Sequence, residues 1–193
     1  MKIAIDASRY LHEKATGVEW YSWNIINALL PLLKDEKVIL YARGETPGLK
    51  TRVIKRKRFW TLLGLSAAVR RDKPDVLFVP SHVLPLSLPR RTVITIHDVA
   101  FKHLRSSYSL AQYTYLEWST RRAVRKADRI IVPSEATALD LVRFYQCERE
   151  KIAVIPHGFN QAVEFDPNLH MKSPVLEHFG VSPGMKYFLY VGR

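Results

Sequence analysis

The stretch Arg129-Ile130-Ile131-Val132-Pro133-Ser134-Glu135 decides the fold. Its apolar centre reads as a short buried strand that a proline ends. Ser134 then stands where a helix N-cap belongs, ahead of a helical stretch from about Glu135 to Tyr145. A strand that turns at once into a helix is the building unit of a parallel sheet covered by helices.

The same unit recurs on both sides. Lys2 to Ala7 reads as a strand, followed by a polar loop and then Thr16-Gly17-Val18-Glu19. Thr16 with Glu19 three residues later is a capping-box pattern, in which each side chain satisfies an orphan amide of the first turn. Val18, Tyr21, Ile25, Ile26, Leu29, Leu30 and Leu33 follow at helical spacing. Further strands are predicted over Lys37 to Tyr41, Arg52 to Lys55, Asp75 to Val79, Thr92 to Ile96 and Lys151 to Ile155, with helices over Trp60 to Arg71 and Ser109 to Lys126. The pattern predicts an α/β fold: a Rossmann-like parallel sheet with helices on both faces.

The pattern weakens after Phe159, where Pro167, Pro174, Gly180, Pro183 and Gly184 accumulate. We expect a domain over 1–160, a linker over 161–185 with one short helix near Val175 to Phe179, and a fresh strand within 186–193 at the start of a second domain. That last strand, Tyr187 to Val191, has no helix after it, so the sequence reads as cut where the second domain begins.

Composition narrows the function classes. The single Cys147 excludes an internal disulfide. No apolar run approaches the roughly 18 residues that cross a bilayer, and an acid at position 6 argues against a signal peptide. We therefore expect a cytoplasmic protein. The net charge of +12 is concentrated: Lys50 to Lys73 holds nine basic residues against Asp72, and Arg121 to Arg129 five against Asp128. Such a field favours anionic partners, and a solvated basic face is the plainer alternative.

In open parallel sheets, ligands bind beyond the C-terminal ends of the strands. Those ends carry Asp6, His82, His97-Asp98, Ser134-Glu135 and His157-Gly158. Ser134 is accounted for as an N-cap. Two readings stay open for Gly17: a tight entry into its helix, or bare backbone that a phosphate or sugar can approach. There is no G-x-G-x-x-G after the first strand, no phosphate loop of the G-x-x-x-x-G-K-[ST] type and no G-x-S-x-G elbow, and no histidine pair at metal-binding spacing. No cofactor and no metal are expected.

Five segments resemble the family-4 retaining glycosyltransferases. They are the strand, Gly17-Val18-Glu19 turn and helix of Met1 to Leu30; Val93 to Phe101 with its H-D-x-x-F; Ala127 to Glu135; Lys151 to Asn160; and Tyr187 to Arg193. Together they run through nearly the whole chain in the family's order. The resemblance implies a GT-B fold, in which two Rossmann-like domains face each other across a cleft, with the acceptor on the N-terminal one. It implies transfer of a mannosyl- or rhamnosyl-type hexose, with retention, to a saccharide or lipid-linked acceptor in polysaccharide biosynthesis. Carried over by position, His97 and Asp98 would be catalytic, facing the transferred sugar. Gly17, Ser134, Glu135 and Arg193 would bind substrate or donor: Gly17 near the donor phosphates or sugar, Ser134 and Glu135 at the cleft floor, and Arg193 paired with the donor diphosphate. Because the remaining donor-holding motifs of the family would fall beyond Arg193, the chain alone is expected to be inactive. The alternative is a non-enzymatic binding subunit of the same fold that needs a donor-domain partner.

Lys55, Arg56, Lys57, Arg58 and Trp60, followed by Leu62, Leu63 and Leu65, form a basic-aromatic segment. It is a candidate patch for peripheral docking on an anionic membrane surface, at the inner face of the plasma membrane. The alternative is that Trp60 and the leucines pack on the sheet. Nucleic acid is not an expected partner, because charge alone would support it and no recognition motif is present.

Overall fold

The computed structural model describes residues 1–10, 16–46, 48–158, 176, 178–182, 185–188 and 190. The chain divides into two compact units, Met1–His157 and Gly158–Arg193. The first holds seven strands in one sheet: β1 (Lys2–Asp6), β2 (Lys37–Ala42), β3 (Thr51–Val53), β4 (Val76–Val79), β5 (Arg91–Thr95), β6 (Arg129–Val132) and β7 (Ile152–Val154). Every pairing is parallel, and the spatial order is β3-β2-β1-β4-β5-β6-β7. The chain lays β2 and β3 on one side of β1 and returns to place β4 on the other. A reversal of this kind opens a crevice at the C-terminal ends of β1 and β4.

The helices are α1 (Gly17–Leu32), α2 (Ser66–Asp72), α3 (Ala100–His103), α4 (Leu110–Lys126) and α5 (Glu135–Tyr145). Successive strand residues point to opposite faces, and the core divides accordingly. Tyr41, Leu77, Val79, Ile94, Ile96 and Ile130 turn to one face and meet Leu65, Ala68 of α2, Ala123 of α4 and Leu141 of α5. Ile3, Ile5, Leu40, Ala42 and Phe78 turn to the other, where Ile26, Ile25 and Leu29 of α1 cover them. Helices thus lie on both faces, as the alternation predicts.

A polar node ties α2 to the sheet. The Tyr41 hydroxyl donates to Asp72 at 2.6 Å, and Arg71 Nε donates to the same carboxylate at 3.1 Å. Arg52 of β3 completes an ion pair with it. Burial pushes the Asp72 carboxyl up, but the bonds from Arg71, Tyr41 and Arg52 outweigh it and hold the group well below the usual carboxylate range.

Two local features depart from expectation. The helix predicted over Trp60 to Arg71 begins as a π-helical turn, Trp60–Leu65, before α2. Residues five apart diverge by about 140° on an α-helix; the wider turn lets both Trp60 and Leu65 reach the core. Gly64 makes this approach feasible, since a Cβ there would lie 3.0 Å from Ile54 Cγ2. The short α3 was not expected; it follows Asp98, whose Oδ1 accepts the Ala100 amide at 2.9 Å.

In the second unit Leu176 and His178 are helical, within the stretch expected to hold a short helix. Tyr187, Phe188 and Tyr190 show no strand pairing. Among the described residues, no helix is long and apolar enough to cross a membrane.

Candidate functional site

The loops after β5 and β7 and the first turns of α1 meet at the C-terminal edge of the sheet. Thr16 and Glu19 form the capping box that the sequence predicts, with the Thr16 amide donating to Glu19 Oε2 at 3.0 Å. One turn later, Tyr21 reaches across the sheet edge. Its ring centroid lies 4.8 Å from that of His97 in an edge-on contact and 4.8 Å from that of His157. The two imidazoles are themselves 5.3 Å apart, and the Tyr21 hydroxyl shares a 3.1 Å hydrogen bond with Thr95 Oγ1.

His97 is held in a defined protonation state. Burial, above all, pushes its imidazole below its ordinary value, and the neighbouring His157 adds to this. The ring is therefore neutral at pH 7. Its Nε2 lies 3.1 Å from the Pro80 carbonyl oxygen, which can only accept, so Nε2 carries the proton. The neutral ring's other nitrogen, Nδ1, is then an acceptor, suited to a hydroxyl of a sugar. Burial also pushes His82 downward, and the nearby His97 contributes.

The other predicted residues occupy the same edge with differing commitments. Asp98 is exposed and its carboxylate caps Ala100. Ser134 is the N-cap of α5, accepting from the Thr137 amide at 3.2 Å, and the Thr137 hydroxyl donates to the His97 carbonyl at 3.3 Å. The loops after β5 and β6 are thereby tied together. Glu135 is exposed and both its oxygens accept from Arg149 Nη2, at 2.9 and 3.1 Å. Gly17 opens α1 and is exposed, and a Cβ there would meet nothing within 4 Å. Its site is open to approach, and the packing does not require glycine. Arg193 lies outside the described residues.

Next to this cluster, over the ends of β1, β2 and β4, is a cavity of about 420 Å³. Ser8, Arg43, Ser81, His82 and Tyr115 are among its walls. Arg9 also lines it and donates to Glu19 at 2.9 Å, so these two charges offset each other. Behind it, buried Asp6 accepts the Ser8 amide through Oδ1 at 2.9 Å, while Oδ2 has no partner among the described residues. Burial pushes this carboxyl up. Arg43 and Tyr115 carry no signal in the sequence, Tyr21 reads there only as a core position at helical spacing, and His157 is visible as a strand-end polar residue.

The basic-aromatic segment is corrected at one position. Trp60 is 2 % exposed, with its indole N–H donating to the Ile54 carbonyl at 3.1 Å. It belongs to the core and cannot face a membrane. The exposed aromatic is its neighbour Phe59, 64 % exposed, with Leu63 and the cations Lys55 to Arg58 beside it.

The comparisons with known proteins fit this architecture. Two solved structures of Anabaena Alr3699/HepE, one in complex with UDP-glucose and one with UDP and glucose, share the fold. Their TM-scores are 0.56 and 0.54, each at 18% identity over 94% of this chain. The chain spans about half the length of those structures, 50% and 51%. Among curated proteins none matches the sequence. The description Glycosyltransferase Family 4 matches residues 15–163, most of the chain, and the protein belongs to that family.

Proposed function

We propose that this chain is the acceptor-side half of a retaining GT-B glycosyltransferase that moves a mannosyl- or rhamnosyl-type hexose from a nucleotide sugar to a saccharide or lipid-linked acceptor. The observation that carries the reading is the meeting of Tyr21, His97 and His157 at one sheet edge beside a cavity. A nucleotide-sugar donor is supported by the HepE structures, one of which is described in complex with UDP-glucose.

In this reading, 1–160 forms one wall of the cleft, 161–185 links the two halves, and 186–193 begins the donor domain. As transfer proceeds, positive charge grows at the anomeric carbon and negative charge on the leaving phosphate, and fixed cations stabilise the latter. Arg193 supplies such a cation through its planar fork. His97 accepts a hydroxyl of the transferred sugar at Nδ1, and Asp98 lies beside the same sugar. Gly17, Ser134 and Glu135 border the donor. The chain alone, with one wall of the cleft, does not transfer sugar. Assaying it against a panel of radiolabelled nucleotide sugars and lipid-linked acceptors should give no product, while a longer protein containing a donor domain should, with loss on His97→Ala. Turnover by the chain alone would overturn the half-cleft reading.

Lys55 to Arg58, with Phe59 and Leu63, support peripheral docking on an anionic membrane. Replacing the four cations by glutamine should abolish co-sedimentation with phosphatidylserine vesicles at low salt; unchanged binding would rule out this patch.

A further inference from the structure

We infer that the cavity beside Tyr21 and His97 takes an acidic saccharide, its negative group, carboxylate or phosphate, held between Arg43 and Lys57. The inference rests on the acceptor-half reading and adds to it the charge of the acceptor.

The charges in the cavity wall do not balance. Arg9 is neutralised by Glu19, at 2.9 Å. Arg43 and Lys57 both line the cavity and neither forms a salt bridge among the described residues, although the Arg43 charge is felt by the buried Asp6 carboxyl behind the wall. Arg43 instead lies with its guanidinium 5.2 Å from the Trp60 ring centroid. Trp60 is fixed in the core, so it holds a planar, five-donor fork in place at the cavity rim without consuming its hydrogen bonds. His82 contributes no opposing or additional charge at pH 7, because burial keeps it neutral. With two cations against one carboxyl buried behind it, the wall keeps a positive excess at its surface, and such a site favours an anion over a neutral ligand.

The rest of the wall suits a sugar. Tyr115 and Phe59 present aromatic surface, on which the apolar face of a pyranose can lie. Ser8, Thr61 and Ser81 add hydroxyl groups that can both donate and accept. The volume of about 420 Å³ lies within the range of small-ligand sites. A solvated basic surface would need none of these together: neither a concave wall, nor an aromatic lining, nor an arginine braced on a buried indole.

The test is retention of the full chain on an array of immobilised saccharides that are neutral, uronic-acid-bearing or phosphate-bearing, at about 0.15 M salt, where long-range attraction to this basic protein is screened. We expect retention on acidic spots and not on neutral ones. The more strongly retained class identifies the anion: a carboxylate if uronic acids, a phosphate if phosphosaccharides. The Arg43→Gln/Lys57→Gln double variant, with its fold checked by circular dichroism, should lose this binding by about tenfold or more, the effect of deleting charge-assisted hydrogen bonds. Retention on neutral spots equal to that on acidic ones would overturn the inference while leaving the acceptor-half reading in place. Undiminished acidic binding by the double variant would also overturn it, since the anion would then sit elsewhere. Retention on no spot would remove both.

Discussion

The ring centroids of His97 and His157 lie 5.3 Å apart, bringing the ends of β5 and β7 together although β6 separates them in the sheet. Tyr21 of α1 closes the group from the other side of the crevice. Three chain segments remote in sequence therefore share one electrostatic environment, in which the neighbouring His157 helps to hold His97 below its ordinary value.

This arrangement makes the protein acid-sensitive in a defined direction. His97 and His82 have folded-state values below their ordinary 6.5, so the unfolded chain takes up protons first as the pH falls. Stability is unaffected by these groups above that value and declines as pH drops through it. Thermal melts taken from about pH 7.5 to about pH 5.5 should show a falling midpoint. The His82→Gln variant should flatten the decline. A slope equal to that of the parent would remove His82 from the account.

Trp60 and Phe59 are neighbours in sequence with opposite roles. Trp60→Ala removes a buried indole and its bond to Ile54, and should cost about 3–5 kcal/mol in urea unfolding. Phe59→Ala, at an exposed site, should stay within about 0.5 kcal/mol of the parent. Vesicle binding should respond in the reverse order, weakened by the Phe59 change and not by a Trp60→Phe variant. Equal destabilisation by the two alanines would contradict the burial difference.

Ser134 serves as the α5 N-cap and, through Thr137, holds the His97 carbonyl. Ser134→Ala should cost about 1 kcal/mol, and Ser134→Gly only a few tenths, because glycine tolerates the cap position. Amide exchange at His97 and Asp98 should quicken in the alanine variant. Unchanged protection there would mean that the two loops are held together by other contacts.

Asp72 receives bonds from Tyr41, Arg52 and Arg71, and its side chain is 10% exposed. Its carboxyl is depressed in the folded state, so the stability it contributes is fully present above its ordinary 3.8 and is lost as pH falls toward the folded value. Asp72→Asn should cost about 2 kcal/mol near pH 7. The gap from the parent should narrow near about pH 3. A gap independent of pH would show that the charge is not what holds the node.

Most of the sheet was legible in the sequence because its central strands are short apolar runs close to proline, serine or a charged residue, whereas the edge strand Thr51–Val53 has Arg52 at its centre. Arg129 to Val132, closed by Pro133 and Ser134, is the clearest instance, and Lys2 to Asp6 the next. What the pattern could not carry is the turn at Trp60–Leu65, whose width depends on how closely Ile54 approaches Gly64, a tertiary contact with no periodic trace. The site was legible only as an edge. His97, Ser134 and Glu135 were placed there by the rule that such sheets bind ligands beyond their strand ends. Their actual partners came from elsewhere: Tyr21 from a helix whose spacing suggested only core packing, and Arg149 from a loop with no motif. Arg43 and Tyr115 line the cavity because β2 ends and α4 passes there, which hydrophobic periodicity does not encode.

The outermost strands, Thr51–Val53 and Ile152–Val154, are each three residues long. A margin that brief exposes few unpaired amides and carbonyls to a foreign extended segment, and lysine or arginine stands inside or next to each. The sheet is in this way guarded against growing sideways by recruiting a stray chain, so crowding in a concentrated solution should favour discrete molecules over fibrous assemblies.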